Sequence, residues 1–172
     1  MAVSVRKLLL AVHLTCSVGW IGSVIAYVVL DFTVASSTDD VLVRSAWVGM
    51  GLVASSVILP LAIASLVTGI AIAAGTRWGL FRHWWVLISL VLTIAAVVVL
   101  QMETGVIVRS AAIAADPQTS TERLMALPNT LLHSLGGLLV LLVIQLLNVY
   151  KPQGLTPYGW RKQQSERATR GP

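Results

Sequence analysis

Four apolar runs, each ended by charged or turn-forming residues, decide what this chain can become. A helix needs about 20 mostly apolar residues to cross the roughly 30 Å hydrocarbon core of a bilayer. Residues 8–30, 46–74, 84–101 and 131–150 meet that requirement. Breakers separate them: Ser36 to Asp40, then Gly75 to Arg77, then Asp116 to Ser120. Composition agrees, because 56% of the residues are hydrophobic and only 11% are charged. A soluble domain carries about 25% charged residues, so this chain has too little polar surface to cover a water-soluble globule. The expected fold is all-α: one domain over residues 1–150 built as a four-helix transmembrane bundle, followed by a basic tail over 151–172.

The first run is too long for a signal peptide and no small-x-small cleavage site follows it, so it reads as a mature helix. Orientation follows from Lys and Arg. Nine of the twelve (Arg6, Lys7, Arg77, Arg82, Lys151, Arg161, Lys162, Arg167 and Arg170) fall on one side. The other three, Arg44, Arg109 and Arg123, fall on the opposite side with six of the seven acids. The basic side, carrying both termini, is expected in the cytoplasm. A net charge of +5 suggests nucleic acid, but the charges cap apolar runs and form no binding face. The expected partner is therefore the lipid bilayer, with no nucleic acid. The basic tail suits anionic lipid. Cys16 stands alone inside an apolar run, which excludes a disulfide framework or a Cys-based zinc site.

Trp78, Phe81, Trp84 and Trp85 at the basic end, and Trp47 at the acidic end, read as interfacial anchors. Residues 105–115 either prolong the third helix or lie in the interface. Pro60 is expected to kink the second span, with Ser55 and Ser56 near the freed carbonyl. Gly19, Gly22, Gly49, Gly51, Gly69, Gly136 and Gly137 read as helix-contact positions, since close backbone approach holds helices together in lipid.

Polar side chains at bilayer depth are costly and point to function. His13 begins a helical stripe through Ser17, Trp20, Ser23 or Val24, Tyr27 and Asp31 that is expected to face the bundle interior. His83 lies at the basic edge of the third span and His133 near the acidic end of the fourth. His13 and His133 are roughly 19 Å apart along the membrane normal and so cannot share one metal ion. His13 and His83 differ in depth by only about 7 Å, a spacing that a porphyrin between helices would fit. At the acidic end, His133 pairs with Met102 in a haem reading or with Glu103 in a divalent-metal reading. The plainer alternative has His13 hydrogen-bonding across to Gln145 or Asn148.

Three stretches carry a resemblance: His13 to Gly22, Thr76 to Trp85, and Tyr150 to Trp160. Together they resemble a family of small, uncharacterised four-helix integral membrane proteins of actinobacteria and related bacteria, which implies a multi-pass protein of the bacterial cell membrane. His13 followed seven residues later by Trp20 is also similar to the first helix of copper-resistance protein D and of the HemJ-type protoporphyrinogen oxidase. That likeness implies His13 as a haem or copper-related residue. No Lys lies within the spans, so the partner lysine of the HemJ-type enzyme has no match here.

The chain has no Walker loop, dinucleotide fingerprint or His-Glu-x-x-His. Three function classes stay open. One is a membrane protein binding haem b or a metal through His13, with His83 or His133, in a redox or cofactor-handling role. Another is a non-catalytic membrane subunit or scaffold. The third is a small-solute or ion permease acting as a homo-oligomer.

Overall fold

The computed structural model describes residues 2–76 and 78–170. Arg77, one of the nine basic residues that set the orientation, lies outside the described residues, as do the last two residues of the tail. Helices α1 (Val3–Ser36), α2 (Asp40–Val53), α3 (Leu59–Gly75), α4 (Trp84–Ala115), α5 (Thr121–Met125), α6 (Leu131–Tyr150) and α7 (Pro157–Arg170) follow in chain order. A single π-helical turn, Ala54–Ile58, joins α2 to α3, so Asp40–Gly75 forms one 36-residue span. With α1, α4 and α6 this makes four helices long and apolar enough to cross a membrane. The protein is an all-α bundle whose even number of crossings returns both ends to the same, basic side.

The bundle is apolar on the outside. Val18, Val29, Val91 and Leu139 are all more than half exposed, on faces suited to a lipid environment. The interior is narrow and centres on Trp20, Tyr27, Trp47, Met50 and Ile58. Trp47 is fully buried, not an interfacial anchor, because α5 folds back over the acidic end and lays Leu124 beside it. Trp85 is buried too, whereas Phe81 and Trp84 keep the exposed position expected of interface residues.

Residues 105–115 continue α4 without a break, giving a helix of 32 residues, about 48 Å long. The extension packs on α2, where a Cβ at Gly51 would sit 2.6 Å from the Ala111 Cβ, so only glycine allows the two helices this close. Arg44 clamps the end of α4. Its guanidinium donates to the carbonyls of Ala114 (3.1 Å), Asp116 (2.9 Å) and Thr119, a cation on the negative end of a helix dipole. Asp39 caps α2 by accepting from Val41 N–H at 2.9 Å, and the Thr121 hydroxyl reaches Asp40 from the α5 lid.

The expected disturbance at Pro60 takes the form of the π turn just before it. Leu59 N–H donates to Ala54 C=O, five residues back. Widening the turn there makes room for the proline ring, which otherwise meets the carbonyl four residues earlier. The Ser55 hydroxyl donates to Gly51 C=O at 2.7 Å, within its own helix.

At the basic end the tail is docked. Trp84 N–H donates to Gly154 C=O (3.2 Å), Thr156 N–H to Arg82 C=O (3.0 Å), and the Thr156 hydroxyl to Phe81 C=O. Gly159 rides directly on the Arg82 carbonyl, leaving no room for a Cβ. Arg82 and Glu166 add a 3.1 Å ion pair, worth about 0–1 kcal/mol at this exposure.

The Gly51 contact yields a direct test. Gly51→Leu should destabilise the detergent-solubilised protein by about 1–3 kcal/mol through overpacking. Gly22→Leu, where a Cβ meets nothing within 4 Å, should leave the melting temperature near wild type. Equal effects at both positions would contradict the packing described.

Candidate functional site

The stripe running from His13 to Asp31 organises the site. Trp20, Val24, Tyr27 and Asp31 are the buried residues of α1, as its spacing predicts. The stripe meets different partners at its two ends, because α1 packs against α3 in the basic half and against α6 in the acidic half.

In the basic half, His13 Nδ1 lies 3.1 Å from Ser65 C=O and 3.0 Å from Thr68 Oγ1. A carbonyl only accepts, so Nδ1 carries the proton. Thr68 spends its own hydroxyl proton on Ala64 C=O (2.6 Å), which leaves its oxygen as a second acceptor for Nδ1–H. Nε2 is then an unprotonated nitrogen with a free lone pair. Gly69 eases this approach: a Cβ there would sit 3.1 Å from His13 Cε1, so the ring would have to shift by a few tenths of an ångström. One turn deeper, the Ser17 and Ser65 hydroxyls meet at 2.8 Å. His13 thus bonds to α3, not to Gln145 or Asn148. Asn148 is engaged with Ile144 C=O (2.8 Å) and the Ser89 hydroxyl (3.4 Å).

His83 repeats the arrangement at the basic end. As the residue capping α4, it donates Nδ1–H to Trp78 C=O at 2.9 Å and stands edge-on to the Trp78 ring at 5.2 Å. Lys151 lies over the same indole, 5.9 Å from its centroid. The His83 backbone pairs with Leu155 of the tail, so the docked segment holds this histidine in place.

In the acidic half, Asp31 is 1% exposed. Its Oδ1 accepts from the Thr130 hydroxyl (2.8 Å) and its Oδ2 from the Ser134 hydroxyl (2.7 Å). Tyr27, one turn away, is buried with a hydroxyl that has no hydrogen-bond partner. Below this polar cluster lies a cavity of about 430 Å³ between α1, α4 and α6, with the π turn among its walls. His133 and Glu103 flank its mouth, 3.9 Å apart. Met102 is 70% exposed, and the His133 contact is with Glu103. A smaller cavity of about 210 Å³ lies under the α5 lid between Asp31 and Trp47, whose indole N–H is unpartnered.

The three histidines therefore have separate surroundings: the seam of α1 and α3, the docked tail, and the cavity mouth. Among the described residues no group of three or more His, Cys, Asp or Glu side chains could hold a metal ion. Glu103 and His133 make a pair, short of the three or four protein ligands of a zinc site. Ser65, Thr68 and Thr130 were not among the sequence candidates, and Ser134 reads from sequence only as a small helix-contact residue. Their signal was available in part, as hydroxyls one turn apart on α3 and at the start of α6. Asp31 is not in a loop or at a helix end but inside α1, as the next step of the stripe after Tyr27. Gly136 and Gly137 are not contact positions. A Cβ at either meets nothing within 4 Å, and both line the large cavity. Compared with family models, curated proteins and solved structures, the chain matches none.

The Asp31 cluster should dominate stability. Ser134→Ala strands a buried carboxyl oxygen and should cost about 1–3 kcal/mol. Ser17→Ala removes a pair of hydroxyls and should cost about 0.6 kcal/mol, the average for hydrogen bonds between membrane helices. Unfolding in mixed micelles measures both, and the reverse order would contradict the assignment.

Proposed function

We propose that this protein is a haem-b-binding membrane protein of the bacterial cell membrane with a redox or cofactor-handling role, its basic end in the cytoplasm and His13 as principal axial ligand. The observation that carries the reading is the His13 ring: Nδ1–H tied to a backbone carbonyl, Nε2 free. Ligating histidines characteristically donate their other ring nitrogen to such an acceptor, which fixes the tautomer and raises ligand basicity. His83, with Nδ1–H on the Trp78 carbonyl, is the second candidate. Charge supports the basic half over the acidic one. Arg6 and Lys7 lie about 10 Å from His13 toward the basic end, where they suit the two propionates of a haem. The mouth of the acidic-half cavity instead presents Glu103.

The test is an absorption spectrum, oxidised and dithionite-reduced, of protein purified in mild detergent from haem-replete cells. A Soret band with reduced α and β bands at near-stoichiometric haem is expected. His13→Ala should lose it, and Thr68→Val should weaken haem affinity on the order of tenfold. A wild-type protein still colourless after haemin titration would contradict the reading. It would favour the scaffold reading, which the same bonds support, since they fasten α1 to α3.

A further inference from the structure

The acidic-half cavity is a separate feature, at the other end of the stripe from His13. About 430 Å³ lies in the range of sites for drug-sized molecules. It is open towards lipid at its rim, where Leu132 is 80% exposed. Small residues keep it open: Ala95 and Ala96 on α4 face Gly136 and Gly137 on α6, and the added Cβ of either glycine meets nothing. A bundle that only needed to pack would place larger side chains here, because an empty cavity costs stability in proportion to its volume.

The polar end has a composition of its own. The Tyr27 side chain lines the cavity at 5% exposure, and its hydroxyl has Thr130 nearby but makes no hydrogen bond of full geometry. Leaving such a group unmet costs about 1–3 kcal/mol, which a ligand hydrogen bond would recover. The hydroxyls of Thr130 and Ser134 are spent on Asp31. The unmet Tyr27 hydroxyl offers a donor and the Glu103 carboxyl an acceptor, with His133 beside it and no Lys or Arg in the lining. The walls below are apolar, with the Trp20 indole and the Tyr27 ring among them.

We propose that this cavity is a binding site, entered from the lipid, for a neutral amphiphile whose ring head donates hydroxyl hydrogen bonds, that is, a substituted hydroquinone with an apolar tail. One ring oxygen accepts from the Tyr27 hydroxyl, the other hydroxyl donates to Glu103, the ring lies against Trp20, and the tail leaves past Leu132 into the bilayer. An anionic head is disfavoured by Glu103, and an oxidised quinone can accept from Tyr27 but has no hydroxyl to donate to Glu103. The site goes beyond the haem reading and does not depend on it.

The experiment uses the full chain in lipid nanodiscs, titrated anaerobically with a decyl-substituted benzohydroquinone and, separately, with its quinone. Binding is read by tryptophan fluorescence and by the shift in melting temperature. Expected is saturable binding at one molecule per chain, with the hydroquinone tighter by on the order of tenfold, one to two hydrogen bonds' worth. Tyr27→Phe should weaken it several-fold. Gly137→Leu, which fills the cavity, should abolish it while His13-dependent haem absorbance, if present, is unchanged. Should Gly137→Leu fail to fold, Ala96→Leu fills the same space from α4. Saturable binding that survives both filling variants would overturn the proposal. So would equal affinity for decane lacking the head, which would show an acyl-chain slot only, or the absence of saturable binding.

Discussion

A bilayer interior has no water to satisfy polar groups, so a hydroxyl, imidazole or carboxyl on α1 is costly unless it finds a partner on another helix or on its own backbone. That constraint shapes this bundle. His13 and Ser17 are satisfied by Ser65 and Thr68 on α3, while Asp31 is satisfied by Thr130 and Ser134 at the start of α6. The first helix is therefore bonded to one neighbour in its basic half and another in its acidic half. These bonds fix its rotation, since turning α1 by one residue would carry both sets out of reach. Small residues supply the approach distance: Gly69 beneath the His13 ring, and Gly19 where a Cβ would press Leu61 at 3.2 Å.

Backbone irregularity and side-chain size then create space. The π turn before Pro60 places Ala54 and Ile58 against the cavity, and the Gly136 and Gly137 pair leaves the facing wall bare. The α5 lid and the Arg44 clamp close the acidic end over Trp47, and the docked tail closes the basic end around His83. The two ends thus differ in chemistry as well as charge: histidine rings held by their Nδ1–H on one side, an apolar cavity with the Tyr27 hydroxyl and the Glu103 carboxyl on the other.

Much of this was legible in the residues. Run length and charge placement gave the four spans, and helical periodicity gave the face of α1 that turns inward, through Trp20, Val24, Tyr27 and Asp31. The partners were not legible, because depth arithmetic along one axis cannot say which helix is the neighbour. His13 and Asn148 lie at similar depth, yet α3 stands beside the histidine and α4 beside the asparagine. Small residues carry the same ambiguity. Gly51 admits a helix, Gly69 a ring and Gly137 a cavity, and spacing alone does not separate these. Trp47 looked interfacial because its burial depends on a lid formed about 75 residues later in the chain.

The central claim is that the bundle holds His13 with its proton on Nδ1 and its Nε2 lone pair available. With only three histidines in the chain, selective ¹⁵N-histidine labelling in bilayers resolves the tautomer of each ring directly. The account predicts an Nδ1–H resonance for His13 that is lost together with the Ser65 and Thr68 environment, for example in Gly69→Val, where the ring is displaced. An Nε2–H tautomer at His13 in the wild-type protein would contradict it.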